Sequence, residues 1–304
     1  MLRRRRVKLI SLLLIISLTF LLFGSCGRLP ADQSSAESFS SAASEISDIR
    51  PLIVKFLDVG QADAILITLP DGRIVLIDAG GSGGKDVIYN ELGDGFEGVI
   101  EYAVFTHFDS DHIGGAPAII ESPGINTVIL PDSFATTAVY DRLLTSLENS
   151  PRTGVLKGEA GLEFVCGGVS FKVLSPFGGE VGVGNESSVV VRLTYKNISM
   201  IFMGDALKVN EEKILNKTLK KDLEADLIKI GHHGSRTSSS MVFLRAVSPA
   251  YAVISCGEKN PYGHPHAETL EALESIGAEV FRTDQSGTVT AVTYGDVIII
   301  STEK

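Results

Sequence analysis

From about Pro51 onward the sequence predicts a layered fold of the α/β or α+β type. Three observations carry this expectation. Short runs rich in Val, Ile and Phe follow one another, bounded by Gly, Pro, Asp and Asn. Amphipathic helical segments lie between those runs. No internal repeat and no second linker interrupts the stretch, which leaves 51–304 to one domain.

Taken in order, the first strands are expected at 53–58, 64–69 and 74–78. The last two are joined by Pro70-Asp71-Gly72, where proline presets the turn and glycine supplies positive φ. Further strands are expected at 102–106, 127–130, 162–165, 171–175, 188–195 and 200–203, then at 227–230, 251–255, 280–283 and 288–293. A helix is expected at 141–147, where Leu143, Leu144 and Leu147 recur. A second, at 211–223, places Ile214, Leu215 and Leu219 on one face with lysines opposite. Two more are expected at 239–247 and at 266–276, the latter with Leu270 and Leu273 in phase. Periodicity leaves open whether these elements build a doubly wound sheet or a four-layer sandwich.

The first 25 residues differ from the rest. Arg3, Arg4, Arg5, Arg6 and Lys8 precede an apolar stretch from Leu9 to Phe23, then the small residues Gly24 and Ser25 and finally Cys26. That order reads as a secretory signal peptide, and the apolar stretch is short for a spanning helix. Leu22 to Cys26 also resembles a bacterial lipobox, with Phe23 where Leu is usual, which makes Cys26 the expected lipidation site. Ordinary signal cleavage and an uncleaved anchor are the alternatives. Each of the three puts the folded part outside the cytoplasm. The Ser-rich stretch 26–50 reads as a flexible tether, because it has too little apolar surface to bury.

The formal charge of −10 disfavours long-range attraction of polyanions and argues against a dedicated high-affinity DNA binder. It leaves room for a hydrolase that holds a phosphate through metal ions. Cys166 and Cys256 read either as two small buried apolar residues or as a disulfide pair.

Chemistry concentrates in a few short stretches that follow apolar runs. The densest is 106–115, where His107, Asp109, Asp111 and His112 offer four ligands within six residues, followed by Gly114 and Gly115. Imidazole and carboxylate together suit zinc, manganese or iron, and the carboxylate share leans toward harder ions. A second stretch ends the run 226–230 with Gly231-His232-His233-Gly234-Ser235. Adjacent side chains point different ways, so one histidine can bind metal while its neighbour faces substrate. Asp205, in Met203-Gly204-Asp205-Ala206, is weak evidence alone but a credible bridging ligand beside two histidine clusters. The loop 259–266 adds His264, a candidate general acid or phosphate contact, and His266, expected to open a helix facing solvent.

The run Thr106-His107-x-Asp109-x-Asp111-His112-x-Gly114-Gly115 resembles the signature of metallo-β-lactamase fold hydrolases. With Asp109 in place of a second histidine, it is similar to the extracellular hydrolase domain of ComEC-type competence proteins. The resemblance continues in order through Phe56 to Ala64, with Ala62 where Gly is typical, and through Ile77-Asp78-Ala79-Gly80-Gly81. It then runs through Asn185 to Val190, with Ser187 where Asn is typical, Gly204-Asp205 and His232 to Ser235. Tyr262-Gly263-His264-Pro265 and Thr283 to Gly287 complete it, so that it covers roughly 53–300.

The resemblance implies an α+β fold, a four-layer αββα sandwich with metals at one edge between its sheets. It implies His107 and Asp109 on one metal, and Asp111, His112 and His232 on the other, with Asp205 bridging and His233 facing substrate. Asp58 and Asp78 would orient the ligands. Asn185 stands where fuller members have a third histidine, so one or two divalent ions are expected: zinc, manganese or magnesium. The implied reaction is metal-assisted hydrolysis by an activated water. Asp111 or Asp205 would orient the nucleophile, and His233, His264, Ser235 or Lys229 would contact the substrate anion or assist the leaving group. A phosphodiester is the expected substrate, either extracellular DNA or a phosphodiester of the cell wall. The membrane would be reached through the lipid on Cys26, and no protein partner is implied. The alternatives are a hydrolase of another ester or a lactone, and a non-catalytic metal-binding surface module. A dead scaffold should have lost ligands, whereas His107, Asp111, His112, Asp205 and His232 are all present.

Overall fold

The computed structural model describes residues 50–93, 96–179 and 182–304. The expected signal peptide, Cys26 and the tether up to residue 49 lie outside the described residues.

Alternating burial along the strands assembles the layers. In β1 (Leu52–Phe56), Leu52, Val54 and Phe56 turn one way; in β2 (Ala64–Thr68), Ile65 and Ile67 join them while Ala64 and Leu66 face the opposite side. This period of two is the geometry of an extended chain, and a sheet apolar on both faces must be covered twice. The first sheet continues through β3 (Ile74–Ala79), β4 (Ile100–Val104), β5 (Ile125–Leu130) and β6 (Gly154–Lys157), and β14 (Val289–Thr293) and β15 (Ile298–Thr302) complete its other edge. Its order is β15-β14-β1-β2-β3-β4-β5-β6. The second sheet contains β7 (Glu163–Cys166), β8 (Val169–Ser175), β9 (Val190–Tyr195), β10 (Ile198–Phe202), β11 (Leu227–Lys229), β12 (Tyr251–Ile254) and β13 (Glu279–Arg282), in the order β13-β12-β11-β10-β9-β8-β7.

Three apolar clusters separate four layers. The central one lies between the sheets and holds Val54, Phe56, Ile67, Phe171, Met200 and Phe202. A second packs α1 (Gly84–Leu92), α2 (Ser110–Ile113), α3 (Ala116–Ile119) and α4 (Ala138–Asn149) on the outer face of the first sheet through Ile88, Ile113, Ile119 and Leu143. A third packs α5 (Lys208–Lys217), α6 (Met241–Val247) and α7 (Ala267–Ile276) on the second sheet through Ile214, Phe243, Leu244 and Leu273. A single turn, α8 (Thr283–Ser286), precedes β14. Each fully buried side chain of this size contributes roughly 1.5–3 kcal/mol. The layers are the αββα sandwich that the resemblance implied.

The turn 70–72 forms as expected: Gly72 has φ +89°, its N–H donates to the Leu69 carbonyl at 2.8 Å, and the Leu69 N–H donates to the Arg73 carbonyl at 2.9 Å. Two strands and four helices lie outside the sequence-based reading. β6 is an exposed edge strand with no apolar alternation, and β15 is the opposite edge with Ile299 outward. The helix expected over 211–223 stops at Lys217. Thr218 turns extended, Leu219 lies 65% exposed, and Leu223 and Ala225 enter the outer core instead as the chain drops into β11. Cys166 sits in the central core and Cys256 in the outer one, both unpaired, so the reading as two small buried residues holds.

Strands β3 to β6 pair in parallel, as do β10 to β13. Parallel strands deliver their carboxyl ends to one edge, the usual place for ligands in such sheets. The chemistry-bearing segments at 106–115, 203–206 and 231–235 all leave from those ends.

Candidate metal centre

On the first sheet, the end of β3 sets the geometry. Asp78 adopts φ +57°, a left-handed conformation that Asp tolerates better than most residues. Its Oδ1 accepts the Thr106 N–H at 2.8 Å, and its Oδ2 accepts the Thr106 hydroxyl at 2.8 Å and His112 Nδ1–H at 2.7 Å. A carboxylate only accepts, so His112 carries its proton on Nδ1 and leaves Nε2 bare. His107 Nδ1 lies 3.1 Å from the Thr106 hydroxyl oxygen, whose own proton is committed to Asp78. His107 is therefore also protonated on Nδ1. The loop lies close on the β3 turn: a Cβ on Gly115 would sit 2.5 Å from the Ala79 carbonyl oxygen.

On the second sheet, β10 leads through Gly204 into Asp205, and β11 leads into His232 and His233. Both histidines have positive φ, at 50° and 52°. Such backbone strain on non-glycine residues costs roughly 1–3 kcal/mol each and persists where surrounding contacts fix it. His233 Nδ1–H donates to the Ser255 carbonyl at 3.0 Å, so its Nε2 also faces inward, 3.2 Å from Asp111 Oδ2 and 3.6 Å from Asp205 Oδ2.

Three inward-facing Nε2 atoms and two carboxylates thus converge. His107, His112 and Asp205 offer atoms within 4.8 Å of one another, and so do Asp111, His112 and His233. His112 Nε2 is 3.2 Å from Asp205 Oδ1, yet neither atom has a hydrogen-bond partner, nor does His107 Nε2, and all three are buried. A buried polar atom left without a partner costs roughly 1–3 kcal/mol and calls for an explanation such as an ion. Imidazole nitrogen with carboxylate oxygen is the donor chemistry of zinc, manganese or iron, so these residues fit a divalent cation.

With protons alone to balance these carboxylates, the histidines hold them. Burial pushes His233 down, but Asp205, Asp63 and Asp111 more than offset this and raise it to about 10. His112 rises for the same reason, through Asp205 and Asp78. Burial pushes Asp205 up, and His233 and His112 outweigh it and hold the carboxyl well below its usual range.

Several expected roles change. His233, 2% exposed, enters the converging set, and His232 sits at the rim, 3.8 Å from Asp205. This reverses the expected assignment, because the left-handed turn rather than strand alternation aims the two rings. Thr237 meets His232 Nδ1 at 3.0 Å and the Asn185 amide meets its Nε2 at 3.2 Å, which places Asn185 against that rim histidine. Lys229 was expected to contact substrate, but it is fully buried, its ammonium paired with Asp63. Ser235 is likewise buried, its hydroxyl 2.9 Å from that of Thr237 and its carbonyl accepting the Ser238 N–H, so it builds the turn rather than facing a ligand. Asp58 does not touch the converging residues; it accepts the Gly60 N–H at 3.4 Å and faces Lys304. Asp109 is half-exposed and 3.5 Å from His107 Nε2. His266 opens α7 as expected but is only half-exposed, its Nδ1 accepting the Arg236 N–H at 3.2 Å.

Asp63, Thr106 and Gln61 lie in the segments that carry the resemblance but were given no role. Asp63 is 1% exposed and lies behind the histidines, 3.4 Å from His233 Nδ1 and 4.0 Å from His112 Nδ1. The signal for it was an acid between two apolar strands, in Gln61-Ala62-Asp63-Ala64. Gln61 fixes His264: the Gly257 N–H donates to its Oε1 at 3.0 Å, so its amide N–H faces His264 Nδ1 at 3.3 Å. His264 Nδ1 accepts, and the remaining ring proton is on Nε2. Burial, with His233 and His232 alongside, pushes His264 down to about 4, so it is a neutral donor at neutral pH.

The Metallo-beta-lactamase superfamily model matches residues 57–258. ComE operon protein 3 of Bacillus subtilis (strain 168) is 29% identical over 254 residues, covering 78% of this chain and 32% of that protein. Recombination protein 2 of Haemophilus influenzae is 32% identical over 242 residues, covering 78% of this chain and 28% of that protein. The chain therefore spans about a third of the length of these relatives. Competence protein ComA of Neisseria gonorrhoeae is 30% identical over 231 residues, 76% of this chain and 30% of that protein. Among solved structures, CmlA, a diiron beta-hydroxylase from Streptomyces venezuelae, superimposes with TM-score 0.52 at 14% identity over 79% of this chain and 53% of that one, a likeness of fold alone.

Proposed function

We propose that this chain, which belongs to the metallo-β-lactamase superfamily, is a metal-dependent phosphodiesterase that works outside the cytoplasm. The superfamily is one of metal-dependent hydrolases, and the chain is related within it to competence proteins. The observation that carries the reading is the set of buried, unpartnered atoms on His107, His112 and Asp205 facing His233 and Asp111. His107, His112, His233, Asp111 and Asp205 would hold one or two divalent ions, with Asp109 at the open side of His107. Such an ion supplies Lewis acidity toward a phosphoryl or carbonyl oxygen and makes water acidic enough to attack at neutral pH.

The residues of the chain do the rest. Asp78, Thr106 and the Ser255 carbonyl hold the three imidazoles in the tautomer that leaves Nε2 free. His264, neutral and pinned by Gln61, presents an N–H to the mouth of the site, where it donates a hydrogen bond to an anionic oxygen rather than a proton. His232 and Asn185 line the same rim. Names that speak of competence and recombination among the relatives support a nucleic-acid diester over a carboxylic ester. The apolar, positively led segment before Cys26 supports secretion with a lipid anchor and so an extracellular diester, DNA or a cell-wall polymer.

The test is metal content after purification, followed by hydrolysis of bis-p-nitrophenyl phosphate and single-stranded DNA with added manganese or zinc. Turnover that disappears in His107→Ala and Asp111→Ala supports the reading. Tight metal uptake without turnover of phosphodiesters, lactones or β-lactams would leave a binding scaffold in its place.

A further inference from the structure

The two halves of the metal centre arrive on different sheets. His107, Asp111 and His112 follow β4 of the first, and Asp205 and His233 follow β10 and β11 of the second. A metal site tolerates errors of only a few tenths of an ångström, so the halves need a fixed register at this edge, where the apolar filling has ended.

Lys229, the last residue of β11, is fully buried on the second sheet, and its ammonium is paired with Asp63, on the loop that enters β2 of the first. The backbone of Asp63 is tied down on both sides of its side chain. Its N–H donates to the Asp111 carbonyl at 3.2 Å, and its own carbonyl accepts the Gly80 N–H at 2.7 Å. Its side chain lies behind His233 and His112, facing the Nδ1 side of each ring. One carboxylate thus stands behind an imidazole from each sheet, 3.4 Å from His233 Nδ1 and 4.0 Å from His112 Nδ1, and one ammonium holds that carboxylate in place.

We infer that the buried Lys229–Asp63 ion pair is a positioning clamp that registers the two halves of the metal centre. Neither residue belongs to the set His107, His112, His233, Asp111 and Asp205 assigned to the ion, and metal affinity nevertheless depends on both. A pair kept only for stability would be replaceable: apolar residues of similar volume often substitute for a buried ion pair without loss. A clamp across the sheets is not replaceable in that way, because an apolar pair gives up the directional link that sets the Asp111 segment of one sheet against the His233 segment of the other. The inference rests on the metal-site reading above.

The experiment compares wild type, Asp63→Asn and the double variant Asp63→Leu/Lys229→Met. Lys229→Met alone leaves a carboxylate buried without its partner and is prone to unfold, so the double variant carries the decision. Three quantities are measured: the melting temperature in EDTA, cobalt(II) and manganese(II) affinity by competition with a chelating dye, and the visible spectrum of the cobalt-loaded protein. The double variant is expected to melt in EDTA at or above wild type, to bind both metals about 10–100-fold more weakly, and to show altered cobalt band intensities. Asp63→Asn is expected to lose affinity in the same range. A folded double variant with wild-type affinity and spectrum overturns the clamp and leaves the metal site standing. A wild type that takes up neither metal overturns both.

Discussion

Along β10 and β11 the gap between the sheets is filled first by Met200, Phe202 and Leu227, and then, at the ends of the same strands, by Asp205, Lys229 and His233. The first sheet repeats the change: Val75 and Ile77 give way to Asp78 on β3, and Val104 gives way to Thr106 and His107 after β4. Below, the sheets are held by close-packed aliphatic and aromatic carbon, which is non-directional and tolerates swaps of similar volume. Above, they are held by hydrogen bonds and ion pairs that each fix one atom, so one lost partner strands another buried charge. The lower region explains why the chain folds. The upper one is assembled at a cost in buried, unpartnered atoms that a cation relieves.

The comparison breaks most sharply at Asp205. Asp205→Asn should abolish metal uptake and take hydrolysis to background, and the melting temperature in EDTA should fall as well, because His233 and His112 lose the carboxylate that offsets their burial. Metal analysis with calorimetry checks this; a variant that still loads metal would move the centre elsewhere. Phe202→Ala tests the other region. It should cost about 3–5 kcal/mol in denaturant unfolding and leave metal stoichiometry per folded molecule unchanged. If stoichiometry falls as well, the two regions are not separable.

Asp78→Asn comes next in size. It keeps the shape but no longer forces His112 to hold its proton on Nδ1, so metal affinity should fall by about 10–100-fold with little change in fold. Competition with a chelating dye would measure it.

A pH series sharpens the contrast further. In EDTA, His233 is raised to about 10 from an ordinary 6.5. A raised histidine stabilises the fold fully below the unfolded value, and that contribution is lost as pH climbs through the folded one. The metal-free protein should therefore lose stability from about pH 7 toward about pH 10 more than the loaded protein, in which the ion takes the proton's place. Parallel melting curves with and without metal would contradict this. The smallest effect belongs far from both regions: Val155→Lys on the exposed edge strand β6 should change stability by no more than about 0.5 kcal/mol.

Most strands were legible because burial on both faces writes long apolar runs, as in Ile74-Val75-Leu76-Ile77. β6 was not, because all four of its residues are exposed and no core pattern marks it. The helix expected over 211–223 was overextended because Leu219 kept the helical phase while the chain had already turned at Thr218. At the site, the acids and histidines of 107–112, with Asp78 and Asp205, were legible as polar residues placed directly after apolar runs. Lys229 and Ser235 were misread because proximity to His232 and His233 in sequence suggested a shared surface that the fold buries.

By itself the sequence determined a layered fold and the donor types of the site, since strand periodicity and residue chemistry are local properties; the edge where the chemistry collects was implied by the family resemblance. Tertiary structure alone decided which of two adjacent histidines turns inward, because that depends on a left-handed turn no periodicity encodes. It alone decided that Lys229 answers Asp63 across 166 positions of chain, because a buried charge takes whichever partner the packing of two sheets brings within reach.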